Sequence, residues 1–398
     1  MIKRIKVTRS ATWPTLALAA CLCAAAMPAA AEDCEVKIGA VGPMTGGAAS
    51  WGLSAKAGAD FAAALANEGG GLQVGNRKCK VKVYSYDALY TAAGGAAASN
   101  YLASENVHAT VGPVGSPETT GFRPVAKRNG QINFSSSYMA GVITPEFPLA
   151  FHALQAPVTW GPMLIKDSKA QFKFNTVMIV APNDQGGTDS GKQLVKLYAD
   201  QGVKATTEYY QRGTTNFAPL AMRIVNAKPD TIETSSVPPG DAAILAKQLL
   251  EAGYTGAIGS LGGVGAAPII QGAGGVDKLK AFYWLETSPV DDPGVVKMKA
   301  DYTRLMKAPP PENPLFPVYT VAAEQILRAI SIAGTDQDPE KIATALRQMT
   351  PESRYLGKGG WRGKTNYGIN QELAFPVGLG MAVDGKKLPV RRIDIPAE

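Results

Sequence analysis

The sequence predicts an α/β protein built from parallel sheets flanked by helices, and three observations carry that prediction. Strand-type and helix-type segments alternate almost throughout the chain. The first such pair joins a short apolar strand, Val36–Val41, to a helix from Trp51 to Asn67 through the glycine-rich loop Gly42–Gly47, which is how a parallel α/β domain opens. The chain has 398 residues, 45% apolar and 18% charged, which is globular composition and length enough for two domains. In sheets of this kind a ligand lies beyond the carboxyl ends of the strands. The first loop is therefore a candidate wall of a binding cleft. Its glycines do not follow GxGxxG and no acid stands where a ribose would need one, which argues against a dinucleotide.

The elements justify themselves in order. The first helix sets Leu53, Ala57, Phe61 and Leu65 at helical spacing. Strand Val81–Tyr86 precedes a helix over Ala92–Glu105, and strand Ala109–Val111 precedes a helix over Pro117–Asn129 with proline in its first turn. Strand Ile132–Phe134 opens into a serine run, and Phe151–Pro157, extended and without helical period, reads as a crossover to a second series. That series pairs helix Trp160–Ala170 with strand Thr176–Ala181, helix Gly187–Gln201 with Ala205–Tyr210, helix Phe217–Asn226 with Thr231–Ser235, and helix Asp241–Ala252 with Ala257–Ser260. Strand Phe282–Leu285 ends at a second crossover, Glu286–Pro289. Helices follow over Pro293–Met306, Tyr319–Gly334 and Pro339–Met349, with Pro309–Pro311 as a rigid spacer. The tail, Gly359–Val390, reads as short strands with turns such as Asp384-Gly385.

The first 31 residues differ from the rest. Lys3, Arg4, Lys6 and Arg9 precede an apolar run, Leu16–Ala26, and Ala29–Ala31 offers a small-residue cleavage site before Glu32: a secretory signal peptide over residues 1–31. The run is too short to span a membrane, and no other stretch reads as membrane-spanning. Leu18-Ala19-Ala20-Cys21 also resembles a lipoprotein box, so a lipid anchor at Cys21 stands as the alternative. Without the leader, 36 basic residues face 33 acids, a net charge of about +3, and no basic patch with interleaved aromatics marks a nucleic-acid surface. Cys34 and Cys79 are the pair left in the exported chain and stand just before adjacent strands, which suggests one disulfide, with two buried free thiols as the alternative.

Little in the sequence suggests catalysis. His108 and His152 are the two histidines, without metal-ligand spacing, and read as structural. No GxSxG elbow is present, and Asp291-Asp292 look like solvated acids at a helix start. Gly186–Lys192 fits GxxxxGK, but Gln193 follows where a P-loop needs the Mg²⁺-binding hydroxyl. The expectation is a protein with no catalytic residues, no metal and no cofactor.

The sequence resembles the branched-chain amino-acid (Leu/Ile/Val) type of substrate-binding protein of ABC importers, with a type I periplasmic binding fold. The resemblance rests on the order of IGAVGPMTG and WG within residues 38–52, VGPVGSPET at 111–119, FSSSYMAGVIT at 134–144, VMIVAPNDQGG at 177–187, GTTNF at 213–217, GDAAILAKQLLEAG at 240–253 and AISIAGTDQDPEKIATAL at 329–346. It implies two lobes, each a parallel sheet flanked by helices, joined by three crossovers with the ligand between them. Residues 32–153 plus 288–350 would form the first lobe and 154–287 plus 351–398 the second, with the third crossover near Thr350–Leu356. By the same resemblance Trp51 would pack on the ligand, Ser116 would bind its carboxylate, and Ser137 and Tyr138 would add contacts. Three positions depart from the family: Met139 replaces a threonine, Gly186 a lid tyrosine, and Leu261 stands at or near the acid that pairs with an α-ammonium. Trp160 and Tyr319 would supply further apolar surface, and Glu286 or Asp184 would be the substitute acid if a zwitterion binds. The expectation is a monomeric periplasmic receptor that presents a small ligand to a membrane permease; a ligand-sensing regulatory module of the same fold is the alternative, and a hydrolase lacks a triad.

Overall fold

The computed structural model of the chain describes residues 34–262 and 265–398 and, ahead of them, Thr8 alone. The expected leader, its cleavage point and the Cys21 alternative lie outside the described residues. In chain order come β1 (Glu35–Gly42), α1 (Ala49–Glu68), β2 (Leu72–Val74), β3 (Arg77–Asp87), α2 (Ala92–Ser104), β4 (Ala109–Val114), α3 (Ser116–Asn129), β5 (Ile132–Ser136) and β6 (Ala150–His152). The second series is α4 (Pro157–Phe172), β7 (Thr176–Pro182), α5 (Gln185–Asp200), β8 (Lys204–Tyr210), α6 (Ala218–Ala227), β9 (Thr231–Ser235), α7 (Pro239–Glu251), β10 (Ala257–Gly262), α8 (Ala267–Ala273) and β11 (Ala281–Glu286). Helices α9 (Pro293–Met306), α10 (Leu315–Ala333) and α11 (Pro339–Gln348) lead to β12 (Glu352–Ser353), β13 (Gly357–Lys358), β14 (Gly360–Arg362), α12 (Lys364–Tyr367), β15 (Glu372–Ala374), β16 (Val377–Val383), β17 (Lys386–Lys387) and β18 (Arg391–Ile393). Side-chain caps at Thr91, Asp184, Asp292 and Asp338 begin α2, α5, α9 and α11 by accepting an otherwise orphaned N–H.

Two sheets organise these elements into two lobes. The first runs β14-β15-β6-β5-β4-β1-β3-β2 and the second β17-β16-β11-β10-β9-β7-β8, with β18 beside β16. The central strands of both are parallel, and antiparallel pairs close the edges at β2–β3, β14–β15 and β11–β16. The chain order reverses between β1 and β4 in one sheet and between β7 and β9 in the other, so each sheet has a crevice at its carboxyl edge. Cys34 and Cys79 are bonded. They immediately precede the register pair Glu35–Lys80, where the parallel neighbours β1 and β3 run side by side.

Two expectations are corrected. The third crossover falls at Phe375-Pro376, not near Thr350–Leu356, and residues 352–374 belong with the first lobe rather than the second. The cause is apolar: Trp361 packs on Phe134 and Phe151 at 6.3 and 5.5 Å between ring centroids, and β15 then pairs with β6. The last residue also returns to that lobe, where the Glu398 N–H donates to the Trp361 carbonyl. The stripe expected on α1 is also different, since Leu53 is 47% exposed. Phe61 and Leu65 are buried as expected, and beside them the face carries small residues, because α1 and α10 approach until a Cβ on Gly58 would stand 2.7 Å from the Thr320 nitrogen. Finally, α10 is apolar and long enough to cross a membrane by composition alone, but 83% of that window is buried in the protein. It is a core helix of the first lobe.

Candidate ligand-binding site

A cavity lies between the lobes. Almost every residue that lines it follows the carboxyl end of a strand. Trp51 comes from the first turn of α1, Tyr90 from after β3, Val114, Gly115 and Ser116 from the β4–α3 turn, and Ser136, Ser137 and Tyr138 from the end of β5. The second lobe contributes Ser236 after β9 and Gly262 at the end of β10, and Thr287 enters from the second crossover.

Four of the expected site residues meet here. Ser116 opens α3, and its hydroxyl lies 2.9 Å from that of Ser137. The positive end of the helix dipole favours an anion at this point. Tyr138 and Trp51 are each 6% exposed. The Tyr138 hydroxyl and the Trp51 Nε1–H find no partner among the described residues. Burial pushes the Tyr138 phenol up, so it stays protonated. Both residues line the cavity beside two serine hydroxyls, and none of its described lining residues carries a charge.

The other four stand outside its lining. Trp160 is fully buried behind the wall, edge-on to Tyr138 at 6.4 Å, with its Nε1–H given to the Gln155 carbonyl. Tyr319 is buried on α10, and its hydroxyl pairs with that of Ser136, which does line the cavity. Leu261 is fully buried and only its neighbour Gly262 reaches the space. Its backbone N–H donates to Glu233 Oε1 at 2.6 Å, and Gly262 donates to the same atom at 3.1 Å. Glu233 is pushed up to about 8 by burial and serves the backbone of β10. Gly186 borders the cavity: a Cβ there would stand 3.2 Å from Ser116 Oγ and 3.4 Å from the Tyr90 hydroxyl, so a side chain would press on both. Of the substitute acids, Asp184 caps α5 and pairs with Arg212, while Glu286 accepts the Trp284 Nε1–H at 2.8 Å.

Neither Tyr90 nor Arg212 lies in a motif that marks it in the sequence. Leu89 and Tyr90 both adopt left-handed backbone, φ 55° and 57°, uncommon for residues with side chains. The strain is offset by the Tyr90 N–H donating to Glu118 Oε1 at 2.8 Å. Glu118 is wholly buried and pushed up to about 8 by desolvation. The geometry delivers the Tyr90 ring beside Trp51, 5.8 Å between centroids, and against Gly115, whose φ of 94° and missing side chain leave the ring its room. From the second lobe the Arg212 guanidinium stacks 4.3 Å above that ring. Asp184 and the Ser236 carbonyl orient the guanidinium, and Nη1 has no partner among the described residues. Thr120 to Gln185 at 2.7 Å and Gln193 to the Tyr138 carbonyl at 2.9 Å also bridge the lobes.

The comparisons agree with this architecture. A curated leucine-, isoleucine-, valine-, threonine- and alanine-binding protein of Pseudomonas aeruginosa is 26% identical over 322 residues, covering 80% of this chain and 83% of that protein. A Leu/Ile/Val-binding protein of Rhizobium johnstonii is 25% identical over 81% of this chain and 86% of its own length. Among solved structures, the leucine-binding protein LivK of Thermotoga maritima superposes with a TM-score of 0.75 at 19% identity, over 90% of this chain and 99% of that one. A solute-binding protein of an R. palustris ABC transporter, in complex with benzoate, superposes with a TM-score of 0.74 at 15% identity over 92% of this chain and 98% of that one. The family model for periplasmic binding proteins matches residues 35–375, and the chain belongs to that family.

Proposed function

We propose that the chain is the extracytoplasmic solute-binding component of an ABC importer, and that its ligand is a small apolar or aromatic monocarboxylate rather than a zwitterion. The observation that carries the proposal is the donor-rich cavity between the lobes. A carboxylate accepts from the Ser116 and Ser137 hydroxyls at the α3 N-terminus and from the unpaired Tyr138 and Trp51 donors. An α-ammonium brings only donors, and its burial without a counter-charge costs several kcal/mol. The relatives bracket this choice, since the curated ones are named for aliphatic amino acids and one structural neighbour holds benzoate.

The reading supplies a role for the cross-lobe contacts. A ligand bound by both walls favours the closed arrangement, in which Arg212 covers Tyr90, and a membrane permease would read that closed surface. The receptor would act as a monomer, without catalysis, nucleic acid or cofactor. Calorimetry with leucine, with 4-methylpentanoate (the same skeleton without the amino group) and with benzoate tests it. Tighter binding of an acid than of leucine is expected. Tighter binding of leucine would overturn the monocarboxylate assignment and point to Asp184 or Glu286 as the ammonium's partner.

A further inference from the structure

Between the first and third crossovers lies a fully buried hydrogen-bonded His–Glu pair. His152 ends β6 and Glu372 begins β15, and the two are register partners in the first sheet. Imidazole Nδ1 stands 2.7 Å from Glu372 Oε2, and both side chains are 0% exposed. Glu372 also accepts the Thr159 hydroxyl at 2.8 Å and the Ala156 N–H at 3.3 Å, both at the N-terminus of α4 in the other lobe. Arg362 Nε lies 3.7 Å from the same carboxylate, and Tyr367 meets the imidazole edge-on at 6.4 Å.

With its Nδ1–H given to Glu372, the imidazole has its lone pair at Nε2. That nitrogen accepts the backbone N–H of Ser137 at 3.4 Å. Ser137 lines the ligand cavity and meets Ser116. We propose that Glu372 and His152 are positioning residues for the ligand site. One chain of hydrogen bonds runs from the first turn of α4 through Glu372, His152 and Ser137 to Ser116, so the junction of the lobes and the ligand-facing hydroxyls are set together. The assignment of a ligand to this cavity rests on the function proposed above. An imidazole carrying hydrogen at Nε2, as the other tautomer or as imidazolium, would oppose N–H to N–H and release Ser137.

The test begins with the full chain free of ligand. Nitrogen NMR of labelled histidine should show His152 protonated at Nδ1 and bare at Nε2, and the Ser137 amide should exchange slowly. Glu372→Gln places an amide that can donate to Nδ1 and so favour the other tautomer. In that variant the Ser137 amide should exchange faster, and affinity for 4-methylpentanoate or leucine, whichever the unmodified protein binds more tightly, should fall about three- to tenfold. His152→Gln keeps an acceptor toward Ser137 and should bind more tightly than His152→Leu, which has none; a purely structural role would not produce that order. A protonated Nε2 in the unmodified protein, or Ser137 exchange unaltered by Glu372→Gln, overturns the proposal. If neither probe binds the unmodified protein, the ligand assignment fails, while the ring NMR and Ser137 exchange still decide the positioning role.

Discussion

Arg212 touches Tyr90 across the cleft but is oriented by Asp184 and Ser236 within its own lobe, and that division makes a sharp experiment possible. Arg212→Ala removes both the intralobe ion pair and the interlobe stack, whereas Tyr90→Leu keeps the ion pair and removes the stack together with the ring's contact with Trp51. The double-mutant cycle isolates their coupling. A guanidinium 4.3 Å above a ring, on a side chain 17% exposed, should be worth about 1 kcal/mol, between the roughly 0.5 of an exposed pair and the roughly 2 of a desolvated one. Because the stack exists only when the lobes meet, the coupling should appear in ligand affinity, as about a fivefold factor in Kd. It should be absent from urea unfolding of the ligand-free protein if that protein rests open. Loss of the Asp184 pairing, by contrast, should lower stability of Arg212→Ala in both forms. Calorimetry on the four proteins with the best-binding carboxylate, together with urea unfolding of each without ligand, supplies every quantity. Zero coupling in affinity, or equal coupling in affinity and in ligand-free unfolding, would refute the assignment of this pair to lobe closure.

Three further outcomes are expected. Reducing the Cys34–Cys79 disulfide, which spans 45 residues, should lower unfolding free energy by about 4 kcal/mol on the chain-entropy argument, measured by urea melts with and without reductant; a change near zero would refute it. Ser116→Ala should weaken acid binding by roughly 1.5–3 kcal/mol while leaving the unfolding midpoint of the ligand-free protein nearly unmoved, checked by calorimetry and urea melts. Glu233 holds a proton when folded up to pH about 8, whereas the unfolded side chain ionises near 4.5, so stability should fall as pH rises through that window. Glu233→Gln should flatten the decline in urea midpoints between pH 5.5 and 8.5, and an unaltered slope would exclude Glu233 as its source.

How much the sequence could show depended on whether a residue's role is local. The strand-to-helix alternation was legible because each unit is written in a continuous run, and the loop after β1 marked the cleft because strand, glycine turn and helix are adjacent in sequence. Trp51, Ser116, Ser137 and Tyr138 stand together because each follows the carboxyl end of a strand, Trp51 in the first turn of the helix and the other three directly, a position that follows from strand order alone. The misplaced residues fail for a different reason. Trp160 and Tyr319 carry the right chemistry, but one is turned to the Gln155 carbonyl and the other to Ser136 by contacts that no spacing encodes. The third crossover was misplaced because the membership of β14 and β15 is decided by Trp361 reaching Phe134, 227 positions earlier in the chain. Tyr90 with Arg212, and His152 with Glu372, are pairs separated by 122 and 220 positions. Each residue alone is unremarkable in sequence: a tyrosine after a strand, an arginine in a turn, a histidine between apolar residues, a glutamate near the tail. A two-lobed receptor must place its closing contacts on different lobes and its junction contacts on chain segments that cross between them. The residues that govern closure are therefore the ones whose partners lie farthest away in the sequence, and only the folded chain brings them together.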